Sequence, residues 1–253
     1  MKTIRVRDIT IGEGLPKIIV PLVSSLEQEL LSEIKKVLAM NPDIIEWRVD
    51  SYKLVENLNS VLKTLKKLRG LIKNVPLLFT FRTFQEGGKQ SLSMENYEHL
   101  LEKVIQSKLV DLIDVQLFLE ERLLKKLVSL ANENEVLVVM SNHDFEKTPE
   151  KDEIIFRLRK MQELGADIPK IAVMPNGNED VLTILDATNT MKEKFSDRPF
   201  ITVSMGRVGL ISRLTGHVFG SAATFASGVN DSAPGQITVT ELKNVLETIY
   251  KYS

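Results

Sequence analysis

Cysteine is absent from this 253-residue chain, which removes disulfides and thiolate metal sites and suits a reducing compartment. An excess of either charge is also missing. The 33 lysines and arginines face 34 aspartates and glutamates, so the chain lacks the electrostatic footprint of a nucleic-acid or anionic-membrane binder. Long apolar runs are lacking too; stretches such as 18–23 and 136–140 are far too short to cross a bilayer as helices. The opening MKTIRVRDIT has no apolar core of the signal-peptide kind. Histidine is scarce, at three, which makes each one worth placing. Together these absences predict a cytoplasmic protein whose partner is a small molecule, with neither nucleic acid nor membrane.

What is present is an ordinary globular composition, 43% hydrophobic and 26% charged, enough for a sizeable core and with no linker or low-complexity stretch. The length exceeds that of a common single domain yet falls where closed α/β barrels remain one, so residues 1–253 are expected to form one domain. Short β-rich runs at 18–21, 44–49, 77–81, 112–117, 136–141, 170–174, 200–205 and 222–225 alternate with amphipathic helical runs. They recur roughly every thirty residues, the length of a βαβ unit. One helical run carries Leu26, Leu30, Ile34, Val37 and Leu38 behind a Ser25/Gln28 capping box; another is led by Thr148-Pro149 and stops at Gly165. The last begins near Thr238 with Glu241 three residues on. Eight units predict an α/β fold, a closed (β/α)8 TIM barrel, because an open parallel sheet of that size leaves two edges to protect. An open doubly wound sheet is the alternative. Ile4, Val6, Ile9 and Ile11, followed by Gly12 and Gly14, read as an N-terminal β-hairpin within 1–14 that closes the bottom of the barrel.

Active sites of such barrels lie at the C-terminal ends of the strands, and polar residues crowd those positions here. The second strand ends Glu46-Trp47-Arg48-Val49-Asp50, and alternation sends Glu46, Arg48 and Asp50 to one face. A charged face cannot meet the apolar helix layer, so it faces the lumen, satisfied by a ligand or by an ion-pair network; Asp50 suits the network better. Arg82 follows Phe79-Thr80-Phe81, with Glu86-Gly87-Gly88 beyond it, and taken alone this arginine and glutamate read as a solvated surface pair. The fifth strand leads into Ser141-Asn142-His143-Asp144-Phe145 and sets a histidine at a strand end, where it could take and return a proton. A histidine held there for structure alone is nearly as common. His99 and His217 fall in helical runs as surface or packing residues.

Lys170 sits in the otherwise apolar sixth strand, Ile168-Pro169-Lys170-Ile171-Ala172-Val173. Facing the lumen, its ammonium would be desolvated and near arginines, which lowers its pKa from the reference of about 10.4 and yields a neutral amine, a nucleophile for carbonyls. The competing reading is a buried lysine neutralised by Glu46 or Glu86, and the histidine one strand away tips the balance. Arg213, after the seventh strand, and Ser232 and Gln236, after the eighth, suit a carboxylate or polyhydroxy ligand. Phosphate fits less well for want of a glycine-rich turn at a helix start, although Gly228 and Gly235 keep it open.

Taken together, Gly12-Glu13-Gly14, Glu46-Trp47-Arg48-Val49-Asp50, Phe79-Thr80-Phe81-Arg82, Glu86-Gly87-Gly88, Ser141-Asn142-His143-Asp144-Phe145, the stretch 161–175 around Lys170 and Ser232-Ala233-Pro234-Gly235-Gln236 closely resemble type I 3-dehydroquinate dehydratase over essentially the full length. The resemblance implies removal of water from 3-dehydroquinate to give 3-dehydroshikimate through a lysine Schiff base, in the shikimate pathway of chorismate and aromatic amino-acid biosynthesis. It implies that Lys170 forms the imine, that His143 moves the proton, and that Glu86 holds the histidine. It also implies Arg213, Ser232 and Gln236 on the substrate carboxylate, Glu46, Arg48 and Arg82 on the ring hydroxyls, no metal or cofactor, and a homodimer. Departures from the family pattern fall at Pro21, where a serine is frequent, at Gln116, where an acid is frequent, and at Gly206-Arg207. The small, polar loop 228–236 is expected to close over bound ligand with Gly228 and Gly235 as hinges.

Three rivals compete with this reading: a lysine-imine aldolase for a phosphorylated sugar, a metal-dependent hydrolase using Glu46, Asp50, His143 and Asp144, and a catalytically silent barrel. A single histidine is a poor metal-ligand set.

Overall fold

The computed structural model describes residues 2–229 and 232–252. An antiparallel hairpin comes first, β1 (Ile4–Val6) paired with β2 (Ile9–Ile11). Eight parallel strands follow: β3 (Lys17–Leu22), β4 (Ile44–Arg48), β5 (Leu77–Thr80), β6 (Leu112–Gln116), β7 (Leu137–Asp144), β8 (Ile168–Val173), β9 (Ile201–Ser204) and β10 (Ala223–Phe225). Their order, β10-β3-β4-β5-β6-β7-β8-β9, is that of a barrel. A parallel bridge between Phe200 and Ser221 closes the remaining gap between β9 and β10. Helices α1 (Glu27–Ala39), α2 (Leu58–Ile72), α3 (Met94–Ser107), α4 (Glu121–Glu133), α5 (Lys151–Glu163), α6 (Asn178–Lys194), α7 (Leu210–Phe219) and α8 (Val239–Tyr252) alternate with these strands. The (β/α)8 barrel expected from the spacing is therefore the observed fold.

Period-two alternation divides the strand residues between two apolar clusters. Ile45, Trp47, Phe79, Ile113, Val115, Val138, Met140, Ile171 and Val173 pack with the helices in the outer one. Trp47, fully buried, meets Phe79 edge-on at 5.5 Å. The inner cluster takes one floor residue from every strand: Ile19, Ile44, Leu78, Leu112, Val139, Ile168, Ile201 and Ala223. Val6 and Ile11 of the hairpin join that floor, and Ile11 is 1% exposed, so the hairpin plugs the bottom of the barrel as anticipated.

The bottom rim repeats one device in strand pairs. The Asp43 carboxylate accepts the N–H of Ile18 at 2.7 Å, Asp111 that of Leu77 at 2.8 Å, and Asp167 that of Val138 at 2.7 Å. In the fourth pair the Ser221 hydroxyl accepts from Thr202 at 3.1 Å. Each ties the start of an odd strand to the start of its even neighbour, fixing register at the end that serves stability while the other end is left for chemistry.

Helix starts were only partly legible. The box at Thr238 and Glu241 forms, with Glu241 N–H donating to the Thr238 hydroxyl at 3.3 Å and Thr238 N–H to the Glu241 carboxylate at 3.3 Å. The Ser25/Gln28 box does not: α1 begins at Glu27 behind Leu26, which gives no side-chain cap. Glu33, from inside the helix, accepts the N–H groups of Val23 and Ser24 in the segment that leads into it.

Candidate active site

One inward step above the apolar floor the lumen turns polar. Glu46 on β4, Thr80 on β5, Asp114 on β6, Ser141 on β7 and Lys170 on β8 occupy these positions, each at 5% exposure or less. Arg48, Arg82, Gln116 and His143 stand a further step toward the mouth. Alternation from an apolar floor thus forces charges together, and each buried charge needs a partner.

Most find one. Glu46 accepts from the Thr80 hydroxyl at 2.8 Å. Arg48 makes a two-pronged pair with Asp50 at 2.8 and 2.9 Å, and Asp50 also accepts the N–H groups of Arg82 and Lys89. Asp50 is thus a structural anchor, the network role the alternation suggested. Arg82 donates to Glu86 at 3.2 Å, to Ser141 at 2.8 Å and to Asp114 at 2.8 Å. The expectation of a solvated Arg82–Glu86 pair is overturned: the two are 2% and 6% exposed. A tight turn at Phe84–Glu86 folds the loop back inward, and its return depends on Gly88, where a Cβ would sit 1.8 Å from the Arg82 carbonyl oxygen.

Glu86 in turn grips His143 twice, accepting from its backbone N–H at 3.0 Å and contacting Nδ1 at 3.0 Å. Burial raises the Glu86 carboxyl above its ordinary range, with Arg82 opposing. Burial, then the positive field of Arg82, Lys170 and Arg48, holds His143 well below its ordinary range, so the ring is neutral at pH 7. Gln116 braces the same corner by accepting the Thr83 N–H at 3.0 Å.

Of the four cations that line the pocket, two, Lys170 and Arg213, have no ion pair among the described residues. Lys170 has no carboxylate in salt-bridge range; its ammonium lies over the Phe225 ring, 4.2 Å from the centroid. Burial lowers its pKa to about 8, with Glu46 and Asp114 opposing and Arg82 and Arg48 assisting. The reading in which Glu46 or Glu86 simply neutralises it is not what the geometry gives, since Thr80 and His143 claim those carboxylates. Arg213 on α7 is 3% exposed; among the described residues its Nε has no partner and its one side-chain hydrogen bond is to the Pro234 carbonyl at 3.2 Å. Burial alone lowers its pKa to about 10. A buried guanidinium without a counter-ion is a seat for an anion.

All nine residues singled out from the sequence (Lys170, His143, Glu86, Glu46, Arg48, Arg82, Arg213, Ser232 and Gln236) line one pocket, with about 490 Å³ of atom-free space counted to its open mouth. Phe145, Met205 and Phe225 complete its apolar walls and were missed, as were Asp114 and Ser141 beneath it. Phe225 was concealed by falling at the end of the last strand candidate, where it reads as core. His99 is exposed, and His217 is half-buried with neither ring nitrogen bonded. Asp144 spends its carboxylate on the N–H groups of Glu146 and Lys147, and no cluster of three metal-ligating side chains exists among the described residues.

Of the loop expected to close, Asn230 and Asp231 lie outside the described residues. Its second half sits at the mouth: Ser232 N–H donates to Gln236 at 3.0 Å, and the Pro234 carbonyl accepts from Gly206 N–H at 3.2 Å. Gly235, at φ +77, would bring a Cβ within 2.1 Å of the Gly206 carbonyl oxygen. Gly235→Ala should therefore push this segment outward, raising KM about tenfold or more with less effect on kcat. Steady-state kinetics will show it as a KM change; an unaltered KM would mean that the contact is incidental.

Fold and site define a class: a (β/α)8 barrel enzyme that binds a small anionic substrate beside a buried amine and a carboxylate-held histidine. The family model for type I 3-dehydroquinase matches residues 18–253. The 3-dehydroquinate dehydratase of Bacillus subtilis (strain 168) is 55% identical over 251 residues, 99% of this chain and 98% of its own. That of Salmonella typhimurium (strain LT2) is 51% identical over 251 residues, 99% and 100% of the two chains. A crystal structure of type I 3-dehydroquinate dehydratase from Clostridium difficile with covalent modified comenic acid superposes with a TM-score of 0.96 at 48% identity, covering 100% of this chain and 99% of the other. The chain belongs to the type I 3-dehydroquinate dehydratase family, which are hydro-lyases.

Proposed function

We propose that Lys170 forms an imine with the ketone of 3-dehydroquinate and that His143 carries the proton whose removal leads to 3-dehydroshikimate. The observation that carries this reading is the buried, carboxylate-free Lys170, with a pKa of about 8, one strand from a neutral histidine. The amine adds to the ketone and water leaves, giving a protonated imine that withdraws electrons and acidifies the adjacent C–H. His143 takes that proton; the resulting enamine expels the β-hydroxyl, which leaves as water with the proton returned by His143. Hydrolysis of the imine then frees product and lysine. Because the imine itself is the electron sink, the chemistry calls for no metal or cofactor. Glu86 keeps the Nδ1 proton on its own side, so that Nε2 is the basic atom. The covalent modification named for the Clostridium difficile relative supports a covalent step in this family.

Arg213, Ser232 and Gln236 take the substrate carboxylate in this reading, and Glu46, Arg48 and Arg82 the ring hydroxyls. Arg213→Met is expected to lower kcat/KM about a hundredfold or more, the scale of losing one partner of a buried charged pair, mostly through KM. A loss below threefold in steady-state assays would remove Arg213 from carboxylate binding. The pH profile follows from Lys170: kcat/KM should rise as pH climbs and level off above about 8, because the neutral amine is the reactive form and burial favours it. A profile flat from pH 6 to 9 would contradict it.

The same reading places the chain in the shikimate pathway, as one cytoplasmic catalytic domain that pairs into a homodimer and binds no nucleic acid. Balanced charge supports the last point; large exposed side chains at Phe84, Phe118 and Phe156 support pairing; and no helix among the described residues is long and apolar enough to cross a membrane. The direct test is to supply 3-dehydroquinate and follow the conjugated enone by its ultraviolet absorbance with and without a chelator. Chelator-insensitive product formation is expected; no product, or activity lost on chelation, would overturn the assignment.

A further inference from the structure

Asp114 is as fully buried as Asp50 and belongs to none of the ligand-facing groups assigned above. It sits in the middle of β6, inside the run Leu112-Ile113-Asp114-Val115-Gln116, at 0% exposure and below the pocket lining. Its two oxygens are both spoken for. Oδ2 accepts from Arg82 at 2.8 Å and Oδ1 from the Ser141 hydroxyl at 2.9 Å, while Ser141 accepts from Arg82 at 2.8 Å. Asp114 on β6, Ser141 on β7 and Arg82 just beyond the end of β5 thus close a buried ring of hydrogen bonds, with Arg82 alone reaching the pocket.

We propose that Asp114 is the positioning residue for Arg82: its buried carboxylate, shared with Ser141, aims the guanidinium at Glu86 and supplies the lysine pocket with a fixed negative charge. The inference rests on the reading of Lys170 as the imine-forming amine.

The energetics favour such a role over simple filling. A carboxylate taken wholly out of water costs several kcal/mol unless paired, and here one guanidinium and one hydroxyl make up the whole compensation. A volume-matched apolar residue would fill the same space without that cost, so the charge has to be justified by what it orients. Arg82 shows what that is, because the nitrogen it shares with Ser141 also reaches the Glu86 oxygen that holds His143. Without Asp114, only the Ser141 hydroxyl holds the guanidinium on the inner side, and that single bond leaves it freer to draw Glu86 away from the histidine.

The charge matters as well as the geometry. The charged or titratable groups around Lys170 are Glu46 and Arg48 from β4, Arg82 and Glu86 from the segment after β5, Asp114 from β6, His143 from β7, and Arg213 from α7. Asp114 and Glu46 favour the ammonium, and Arg82 and Arg48 favour the free amine. Removing the Asp114 charge therefore moves the amine's titration downward, whereas removing Asp114 and Arg82 together cancels two opposed fields.

Asp114→Asn keeps the shape and deletes the charge. The readout is the fraction of Lys170 trapped by borohydride with 3-dehydroquinate as a function of pH, alongside kcat and KM. The expected result is a trapping midpoint about one pH unit below that of the unaltered protein, with kcat lowered at least tenfold and KM changed little. In Asp114→Asn/Arg82→Gln the midpoint should return toward its original value. If Asp114→Asn does not fold, Ser141→Ala opens the same ring without changing charge, and kcat should drop about tenfold at unchanged KM with the midpoint fixed. An unshifted midpoint in folded Asp114→Asn, a double variant still lower than the single one, or an unaltered kcat in Ser141→Ala would each overturn the proposal. An unaltered protein that traps no adduct would instead contradict the lysine reading beneath it.

Discussion

Replacing Lys170 with alanine is expected to abolish turnover, by on the order of 10⁴-fold or more, the scale at which loss of a covalent nucleophile is felt. Without the amine no electron sink forms, and His143 would have to remove a proton adjacent to an unactivated ketone. The fold should survive. Burial holds the lysine's pKa at about 8, so at pH 7 the folded state disfavours a proton that the unfolded chain binds freely. For a base whose folded pKa is depressed, stability falls as pH drops from its unfolded value of about 10.5 through about 8 and stays reduced below. Alanine removes that cost, so the thermal midpoint at pH 7 should be equal to or above that of the unaltered protein. Circular dichroism melts read beside steady-state assays check both halves; an inactive variant that also fails to fold would indicate that Lys170 is a structural group.

His143→Ala should separate two steps that Lys170→Ala loses together. The amine is untouched, so imine formation continues, while proton transfer falls by about 10² to 10⁴-fold, the usual contribution of a placed general base. Intact mass after borohydride should then show adduct on a protein that barely turns over. Turnover at the original rate would remove His143 from the mechanism. The contrast between the two variants also bears on the rivals: a silent barrel shows neither effect, and a metal-dependent hydrolase gives no adduct in any variant.

The barrel was legible because its signals are local and repeated. Each strand candidate alternates between a helix-facing and a lumen-facing side, and the structure places all eight within a few residues of their expected limits. What sequence could not give was how a loop returns. Arg82 and Glu86 looked like a solvated pair because four residues of separation in a polar loop carry no information about burial. The turn through Gly88 that folds them into the lumen is a tertiary fact. The box at Ser25 fails because α1 starts two residues later, at Glu27 behind Leu26, and a shift of that size is not written in the capping pattern. Asp114 was legible and was passed over: a lone acid inside an apolar strand is the same kind of signal that drew attention to Lys170.

The measurement that bears most directly on the mechanism is borohydride reduction of the unaltered protein in the presence of 3-dehydroquinate, followed by intact mass and peptide mapping. The account predicts one adduct per chain, joined through a secondary amine on the peptide that carries Lys170, and no adduct when either substrate or reductant is omitted. An adduct on any other lysine, or full turnover with none formed, would contradict it.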